Sequence, residues 1–426
     1  MGTVILGCIA DDFTGATDLA NTLVRSGMRC VQTIGTPKAE RRIDADAVVI
    51  ALKSRTAPRG DAIALSVDAL RWLLAQGARQ IYFKYCSTFD STREGNIGPV
   101  AEALIDALEP AKGAGFTIAT PAFPDNRRTV FKGHLFVGDV LLNESGMQNH
   151  PLTPMTDPNL VRVLQAQCRG KVGLIDYSIV ARGEVAIRQR IEELRAAGVR
   201  IAIVDAVDND DLLRLGPALK GMPLVTGGSG VAIGLAANFG ITPSDAASAL
   251  PAASGSRAIV SGSCSAATNR QVRAFVERGG AAFRVDASRL VPGNDVAREA
   301  LAWAKAHVQR APVLVYSTAE PEQVSYAQEQ LGAQQVGAAV ERTLAEIARG
   351  LVELGVRQLI VAGGETAGAC VQNLDVTELR IGPQIDPGVP WCFAESRDSR
   401  AGLHLALKSG NFGADDFFSK AFAMLG

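Results

Sequence analysis

The sequence predicts an α/β fold: two α/β domains with mostly parallel sheets and a cleft between them. Along the chain, short apolar runs of strand length alternate with longer helical stretches, which is the pattern of repeated βαβ units. A chain of 426 residues is also too long for one ordinary hydrophobic core. Between two such series lies a small, polar, proline-bearing stretch at 240–256, which is typical of a linker. We therefore assign one domain to 1–240 and a second to 257–426.

The composition argues against nucleic-acid and membrane partners. Hydrophobic residues make up 47% of the chain and charged residues 20%, and the formal net charge is −1. This charge gives no general basic field for nucleic acid, and no apolar run approaches the ~20 residues of a membrane span. The N-terminus has no basic segment before its first apolar run, so we expect no signal peptide and a cytoplasmic location. The oligomeric state stays open, and a homo-oligomer is one option.

Short motifs exclude several classes of site. The seven cysteines are scattered without a C-x-x-C pair, and none of the four histidines is paired in an H-x-x-x-H spacing. Reduced thiols are therefore favoured over disulfides, and a zinc or histidine-based hydrolase is disfavoured. The chain has no G-x-x-x-x-G-K-[ST], which excludes a P-loop protein. No G-x-G-x-x-G follows the first strand, which argues against a dinucleotide-dependent oxidoreductase.

The first domain is organised around its first predicted strand. Residues 4–10 form an apolar run suited to a strand that is buried on both faces, and Asp11 and Asp12 stand where it ends. A helix is predicted at 16–27, with Gly27 as its C-terminal cap. Because ligands bind at the carboxyl ends of parallel strands, both carboxylates are expected to face a ligand. The alternative is that one of them only caps the helix, although capping needs one acid rather than two.

Polar clusters also follow three further predicted strands, and each cluster contains charged residues. They are Lys53, Ser54 and Arg55 after a strand at 47–52; a hydroxyl-rich block at 85–98, with Asp90 and Arg93, after a strand at 80–84; and Asp125, Arg127 and Arg128 after a strand at 116–120. Parallel strands bring such ends to one edge of the sheet, where the cations can hold an anionic ligand.

The rest of this half continues the alternation. Residues 129–142 alternate like a hairpin, and 143–158 is a turn-rich excursion with three prolines, which is typical of a lid or binding element. Further helices are predicted at 61–76, 99–108, 184–197 and 210–219, and further strands at 172–176, 200–205 and 223–226.

The second domain carries three turns rich in glycine and serine. Strands are predicted at 257–261, 281–285, 312–317 and 358–362, with helices at 267–278, 296–308, 340–354 and 414–425. The turns are SGSCS at 261–265, GGETAG at 363–368 and KSGNFG at 408–413. Glycines let backbone N–H groups approach phosphate oxygens, and a helix N-terminus favours an anion. Each turn alone can be a plain tight turn, and a lysine beside glycines is usually only solvated, but three in one domain favour phosphate binding.

Several of these motifs together resemble the four-carbon acid sugar kinase family. They are ADDFTGATDLANTLV near the N-terminus, KYCSTFDSTREGNIG at 84–98, GGETAG and KSGNFG, and the resemblance covers essentially the whole chain. The blocks at 134–160 and 32–37 are similar to the branch of the family that phosphorylates 3-oxo-tetronate at O4.

The resemblance implies an acid-sugar-binding domain at 1–240 and a nucleotide-binding domain at 257–426, with ATP as cofactor and Mg²⁺ bridging its phosphates. The nucleotide site would be lined by Ser261, Ser263, Gly363, Gly364, Glu365, Thr366 and Gly410. In the first domain, Asp12 would accept the proton of the C4 hydroxyl, and Asp11 would orient Asp12 or the metal. The acid sugar would be bound by Thr14, Lys53, Arg55, Lys84, Asp90, Ser91 and Arg127. For Lys84 and Arg127 the alternative is an ordinary surface charge.

One departure from the family pattern leaves a question open. Relatives that act on threonate or erythronate tend to show K-x-D-S-T-L-R-G-N, whereas this chain has FDSTREGN at 89–96. The arginine stands one place early and a glutamate takes its position. Which cation meets the substrate carboxylate is therefore undetermined from the sequence.

The leading hypothesis is an ATP-dependent kinase that converts 3-oxo-tetronate to 3-oxo-tetronate 4-phosphate. The alternative within the family is a D-threonate or D-erythronate 4-kinase. Two rivals come from other classes, a nicotinamide-dependent dehydrogenase for a similar acid and a non-catalytic sensor of acid sugars. A dehydrogenase would change cofactor absorbance without using ATP, and a sensor would bind its ligand without turnover.

Overall fold

In a computed structural model, the protein forms two compact units, Met1–Ser248 and Ala249–Gly426. The structure describes residues 4–38, 40–108, 115–150, 152–290, 294–318, 333–395 and 402–425. Both units are layered α/β structures with mostly parallel sheets, so the predicted fold class is confirmed. No helix in the described ranges combines the length and the apolar character that crossing a membrane requires.

The first unit is built on an eight-stranded parallel sheet with the order β2-β3-β1-β4-β11-β5-β10-β9. The strands of this unit, of which β6, β7 and β8 lie outside the main sheet, are β1 (Leu6–Ala10), β2 (Cys30–Ile34), β3 (Ala47–Ala51), β4 (Gln80–Lys84), β5 (Thr117–Thr120), β6 (Arg128–Phe131), β7 (His134–Val137), β8 (Val140–Leu141), β9 (Lys171–Ile175), β10 (Val199–Val204) and β11 (Leu224–Gly227). All residues of β1, β3 and β4 are buried, as expected for central strands of a sheet covered on both faces.

Seven helices accompany this sheet in the described part of the unit. They are α1 (Phe13–Arg25), α2 (Arg59–Ala75), α3 (Ile97–Leu108), α4 (Leu160–Gln165), α5 (Tyr177–Val180), α6 (Glu184–Ala196) and α7 (Asn209–Ala218). Helix α1 begins three residues earlier than predicted, because Asp12 itself is its N-cap. Gly27, just past its end, has φ +96°, a left-handed conformation that glycine adopts without strain.

The predicted hairpin is a separate three-stranded antiparallel sheet of β6, β7 and β8. Val130 in β6 exchanges backbone hydrogen bonds with Ala206, which follows β10, so this small sheet is attached to the end of a main-sheet strand. The side chains of Val130 and Leu135 are buried and anchor the hairpin.

The second unit has a seven-stranded sheet with the order β13-β14-β12-β15-β18-β17-β16. Its strands are β12 (Ser256–Ser261), β13 (Ala281–Arg284), β14 (Val313–Tyr316), β15 (Val356–Ala362), β16 (Glu378–Asp386), β17 (Val389–Ala394) and β18 (Leu403–Lys408). Its helices are α8 (Ala266–Glu277), α9 (Val296–His307), α10 (Ala333–Glu353), α11 (Gly364–Asn373) and α12 (Phe417–Met424). The pairing is parallel among five strands, β13, β14, β12, β15 and β18. Strands β17 and β16 extend the sheet in antiparallel pairing.

An aromatic cluster closes the core beside the antiparallel strands. Trp391 in β17 is fully buried, and its indole N–H donates to the Ala421 carbonyl in α12 across 2.9 Å. Phe417 and Phe422, also in α12, pack into the same cluster. Burial of each such side chain contributes roughly 1.5 to 3 kcal/mol, so α12 is held by its apolar face.

Candidate active site

The ends of three neighbouring strands bring the acidic pair and its basic neighbours together in the first unit. Ala10 at the end of β1 is in register with Ala51 at the end of β3 and with Lys84 at the end of β4. The Asp11 N–H donates to the Lys84 carbonyl across 3.1 Å, and the Arg55 N–H donates to the Asp11 carbonyl across 3.2 Å. The backbone therefore fixes the positions from which these side chains extend.

Arg55 is the centre of a cluster of carboxylates. Its Nε and Nη2 donate to the two oxygens of Asp11 at 2.9 and 2.8 Å, which is the bidentate arrangement that suits a guanidinium. The same Nη2 lies 2.7 Å from Asp12 Oδ1, and Nη1 lies 3.7 Å from Asp90 Oδ2. Because three carboxylates share this one cation, Arg55 holds the cluster together and has little capacity left for a substrate anion.

Asp12 is the member of the acidic pair that reaches solvent. Its side chain is 28% exposed, whereas that of Asp11 is 7% exposed. Asp12 accepts hydrogen bonds from the Gly15 N–H at 3.1 Å and from the Thr14 hydroxyl at 3.0 Å. Burial alone would raise the pKa of Asp12, but Arg55 and Lys84 outweigh it and the pKa is lowered. Asp12 is thus an ionised acceptor that also caps α1, so the capping and ligand-facing alternatives are compatible.

Lys84 is only 3% exposed, so the surface-charge alternative for this residue is wrong. Its Nζ lies 3.8 Å from Asp12 Oδ1. A Cβ atom on Gly15 would lie 2.1 Å from this Nζ and 2.1 Å from Asp12 Oδ1. The glycine therefore makes room for a buried ammonium beside the N-terminus of α1.

The hydroxyl-rich block after β4 contributes Asp90 to the cluster and places Ser91 in the interior beside it. Phe89 and Asp90 have φ values of +66° and +36°, a left-handed turn that is strained for residues other than glycine. Asp90 accepts a hydrogen bond from the Thr88 hydroxyl at 2.7 Å and faces Arg55. Ser91 is buried, and its hydroxyl donates to Gln167 Oε1 at 3.3 Å, so it packs under the cluster.

Two of the predicted basic residues do not join the cluster. Lys53 follows β3 and is exposed. Arg127 has a 69% exposed side chain, and its Nη2 donates to Asp139 Oδ2 at 2.9 Å on the antiparallel hairpin. Arg127 thus agrees with the surface-charge alternative, because its guanidinium pairs with a surface carboxylate outside the cluster.

Two residues near the cluster were not assigned to the site from the sequence: Asp18 was not singled out, and Arg128 was named only as a charged residue that follows a strand. Asp18, on α1, is buried and accepts a hydrogen bond from the Ser229 hydroxyl at 2.6 Å. Burial raises the pKa of Asp18 to about 6, although Lys84 and the Ser229 hydroxyl oppose the rise. Arg128, beside Arg127, has a buried Nε atom. In the sequence Asp18 is one of several polar residues on α1, so no pattern distinguished it, and the signal for Arg128 was its position after a strand.

In the second unit, three strand ends bring the glycine-rich turns together. Ala362 at the end of β15 is in register with Ser261 of β12 and with Lys408 of β18. The Gly363 N–H donates to the Lys408 carbonyl across 2.8 Å. The hydroxyl of Ser265 donates to the Gly410 carbonyl across 2.5 Å. The turns that were singled out in the sequence therefore form one contiguous surface.

Glycines allow these turns to touch. A Cβ on Gly262 would lie 2.2 Å from Thr366 Oγ1, and one on Gly410 would lie 2.5 Å from Ser263 Oγ. Gly363 has φ +124°, which other residues rarely adopt. Gly364 and Glu365 form the exposed first turn of α11. Ser261 is more remote, because it is fully buried with its hydroxyl 2.7 Å from that of Thr318.

Lys408 is fully buried, so the expectation of a solvated lysine beside these glycines is wrong. Its Nζ donates to Thr268 Oγ1 at 2.9 Å and to the carbonyls of Ser409 and Gly410 at 2.9 and 3.0 Å. Burial lowers the pKa of Lys408 to about 7, although three acceptors match the three protons of an ammonium group. Exposed helix N-terminal backbone above a buried cation is suited to bind a polyphosphate.

Two family models match the chain, one in each half. A sugar-binding N-terminal domain matches residues 6–235, and a nucleotide-binding C-terminal domain matches residues 258–418. Together the two models cover most of the sequence, and each lies within one of the two compact units.

The chain is similar to curated proteins and to a solved structure over nearly its full length. It is 58% identical over 99% of its length to a 3-oxo-tetronate kinase of Burkholderia multivorans, covering 97% of that protein. It is 57% identical to a 3-oxo-tetronate kinase of Pseudomonas fluorescens, with coverage of 99% and 97%. A crystal structure from Haemophilus influenzae has a TM-score of 0.80 at 45% identity, covering 99% of this chain and 100% of the other.

Proposed function

The chain belongs to the four-carbon acid sugar kinase family, and on this premise we propose that it phosphorylates 3-oxo-tetronate on O4 with ATP. The observation that carries the proposal is the identity of 56–58% over nearly the whole chain to four proteins named 3-oxo-tetronate kinase. The alternative acceptors D-threonate and D-erythronate are not favoured, because these similar proteins are named for 3-oxo-tetronate.

The first unit is proposed to bind the acid sugar and to supply the base. Asp12 would accept the proton of the C4 hydroxyl while O4 forms a bond to the γ-phosphorus and the bond from that phosphorus to the β,γ-bridging oxygen breaks. Asp12 is able to accept a proton, because its carboxylate is ionised at neutral pH and is partly exposed. Such a base contributes about 10²- to 10⁴-fold to the rate. Asp11 and Arg55 would orient it through their ion pairs.

The second unit is proposed to bind ATP. The exposed first turn of α11 and the turn at 408–413 would meet the phosphates through backbone N–H groups. Gly364 and Gly410 allow this approach, and Ser263, Glu365 and Thr366 would line the same surface. The positive charge of Lys408 lies beneath it, where it would offset part of the phosphate charge.

Mg²⁺ is proposed to arrive with the nucleotide. Within the described ranges, no three histidine, cysteine or carboxylate side chains are grouped to hold a metal ion. These residues fit an ion that keeps its water and phosphate ligands and takes at most one or two carboxylates from the protein. When bound, Mg²⁺ would neutralise charge on the phosphates.

The proposal is tested by coupled ADP release with purified enzyme, ATP and Mg²⁺ over a panel of four-carbon acids. We expect 3-oxo-tetronate to give the highest kcat/KM, with phosphate located on O4 by NMR. D-threonate and D-erythronate should be about ten- to a hundredfold poorer, because a donor that pairs with the planar C3 carbonyl is left poorly paired by a tetrahedral hydroxyl. Equal turnover of D-threonate would refute the substrate assignment. Acid-dependent reduction of a nicotinamide cofactor without ADP release would refute the kinase itself.

A further inference from the structure

The basic side chains near the strand ends of the first unit differ in how far their charge is already used. Arg55 is shared by Asp11, Asp12 and Asp90. Lys84 faces Asp12, and its charge also acts on the carboxylates of Asp11 and Asp18. Arg127 is bound to Asp139 at the surface. None of these three has a guanidinium or ammonium group reserved for an incoming anion.

Arg128 differs from them. Within the part of the chain that the structure describes, no carboxylate lies within ion-pair distance of its guanidinium. Its Nη1 donates to the Asn126 carbonyl, and its Nε is buried without a hydrogen-bond partner. A buried N–H that lost its water on folding and found no acceptor is costly, which indicates a missing partner.

The surroundings place Arg128 beside the acidic cluster. Burial lowers the pKa of Arg128, and among the groups that oppose this are the carboxylates of Asp18 and Asp90. Asp90 is within reach of Arg55, and Asp18 has a buried Oδ1 without a hydrogen-bond partner among the described residues. Two side chains near each other, one with an unpaired donor and one with an unpaired acceptor, are suited to a ligand that carries both kinds of group.

We infer that Arg128 binds the carboxylate of the acid substrate, an inference that rests on the proposed function. A planar guanidinium matches a carboxylate through two parallel hydrogen bonds, and Arg128 is partly exposed, so a ligand can reach it. Asp12, by contrast, is the acceptor for the hydroxyl at the other end of the four-carbon chain. The two residues would thus fix the substrate at its two ends.

The test compares Arg128→Met with Arg127→Met, two adjacent arginines that the sequence alone does not distinguish. Each enzyme is assayed with 3-oxo-tetronate and with erythrulose, a ketose in which CH₂OH replaces the carboxylate. Erythrulose is measured as a substrate or as a competitive inhibitor of acid turnover. For Arg128→Met we expect kcat/KM for the acid to fall about a hundredfold. The kcat/KM or inhibition constant of erythrulose and the KM for ATP should each change by less than about threefold. Arg127→Met should stay within about threefold of the parent throughout.

Arg128→Lys should recover part of the lost activity on the acid, because lysine keeps the positive charge but cannot donate two parallel hydrogen bonds to a carboxylate. A loss in Arg128→Met that is equal for acid and ketose would overturn the inference in favour of a structural role. A loss confined to Arg127→Met would assign the carboxylate to that residue instead. If the parent enzyme fails to turn over any four-carbon acid, the proposed function fails. If the parent is active and Arg128→Met is unchanged, only the inference fails.

Discussion

Lys408 and Thr268 are joined by a hydrogen bond of 2.9 Å in the interior of the second unit, where both side chains are fully buried. Thr268 in turn donates to the Gly410 carbonyl at 2.8 Å, and Lys408 donates to the same carbonyl at 3.0 Å. The turn at 408–413 is therefore tied to helix α8 by a small network without a carboxylate. Buried networks of this kind are strongly stabilising when complete and costly when one member is removed.

Lys408→Met should raise the KM for ATP at least about tenfold and leave the KM for the acid sugar within about twofold. The substitution removes the ammonium group and its hydrogen bonds to Thr268 and to the carbonyls of Ser409 and Gly410, at a cost of about 1 to 3 kcal/mol. Lys420→Met is the matched control, because Lys420 lies in the same unit but is partly exposed and pairs with Asp386. Steady-state kinetics with each substrate varied in turn make the measurement. An unchanged KM for ATP in a folded Lys408→Met enzyme would show that the network is only structural.

Gly15→Ala should lower kcat/KM for the acid by at least about tenfold and destabilise the protein by about 1 to 3 kcal/mol. The added Cβ would overlap Asp12 Oδ1 and Lys84 Nζ, each at 2.1 Å, so one of them must move. Gly60→Ala is the control, since Gly60 also lies in the first turn of a helix but has nothing within 4 Å of its added Cβ. That variant should be neutral or gain about 0.5 to 1 kcal/mol. Urea unfolding and the ADP-release assay separate the two effects, and equal behaviour of the two variants would contradict the prediction.

The edge of each sheet where ligands are expected could be predicted from the sequence, but the pairing of charges could not. Polar residues after apolar runs locate strand ends, and parallel strands bring these ends together. This is why Asp11, Arg55 and Lys84 could be predicted to lie near one another. Charged residues are rarely buried, so nothing in the sequence predicted that Lys84 and Lys408 would be. Their burial depends on residues that are distant in sequence, Gly15 beside Lys84 and Thr268 beside Lys408.

Adjacent residues of one type show the same limit. Arg127 has φ +57° at the end of a short 3₁₀ segment, and this turn sends its side chain to Asp139 while Arg128 begins strand β6. The sequence gives two equivalent arginines, and only the backbone conformation distinguishes them. Strands β16, β17 and β18 were also absent from the predicted elements, and the pairing of β16 with β17 is irregular in register between Ile381 and Gln384.

Asp12→Asn should lower kcat by at least about 10²-fold while ATP affinity and stability stay close to those of the parent, because a general base acts mainly in the transition state. The single carbonyl oxygen of the amide can still accept the hydrogen bond from the Gly15 N–H that caps α1. Asp12→Ala serves as a contrast, since it should lose the cap as well, at about 0.5 to 2 kcal/mol. Single-turnover phosphoryl transfer gives the chemical step directly. Turnover of Asp12→Asn within a few-fold of the parent would remove Asp12 from the role of base.

Asp18→Asn should stabilise the protein at pH 7, by roughly 1 to 3 kcal/mol. The folded-state pKa of Asp18 is raised to about 6 from an ordinary value of 3.8, chiefly by burial. Between these two values the folded protein binds the proton more tightly than the unfolded chain, so the contribution of Asp18 to stability is fully present below 3.8 and is lost as the pH rises through 6. Asparagine does not titrate in this range. The free energy of unfolding of Asp18→Asn should therefore match that of the parent below about pH 4 and exceed it by a constant amount above about pH 7.

Urea unfolding of Asp18→Asn and the parent at several values between pH 4 and pH 8 measures this difference. Asp68→Asn is a suitable control, because Asp68 is an exposed carboxylate on α2 that pairs with Arg71, and its replacement should change stability by less than about 0.5 kcal/mol at any pH. An Asp18→Asn protein that is less stable than the parent at pH 7 would mean that the ionised carboxylate is a net favourable partner of Lys84. In that case the charge of Asp18 would support the fold of this site instead of costing stability.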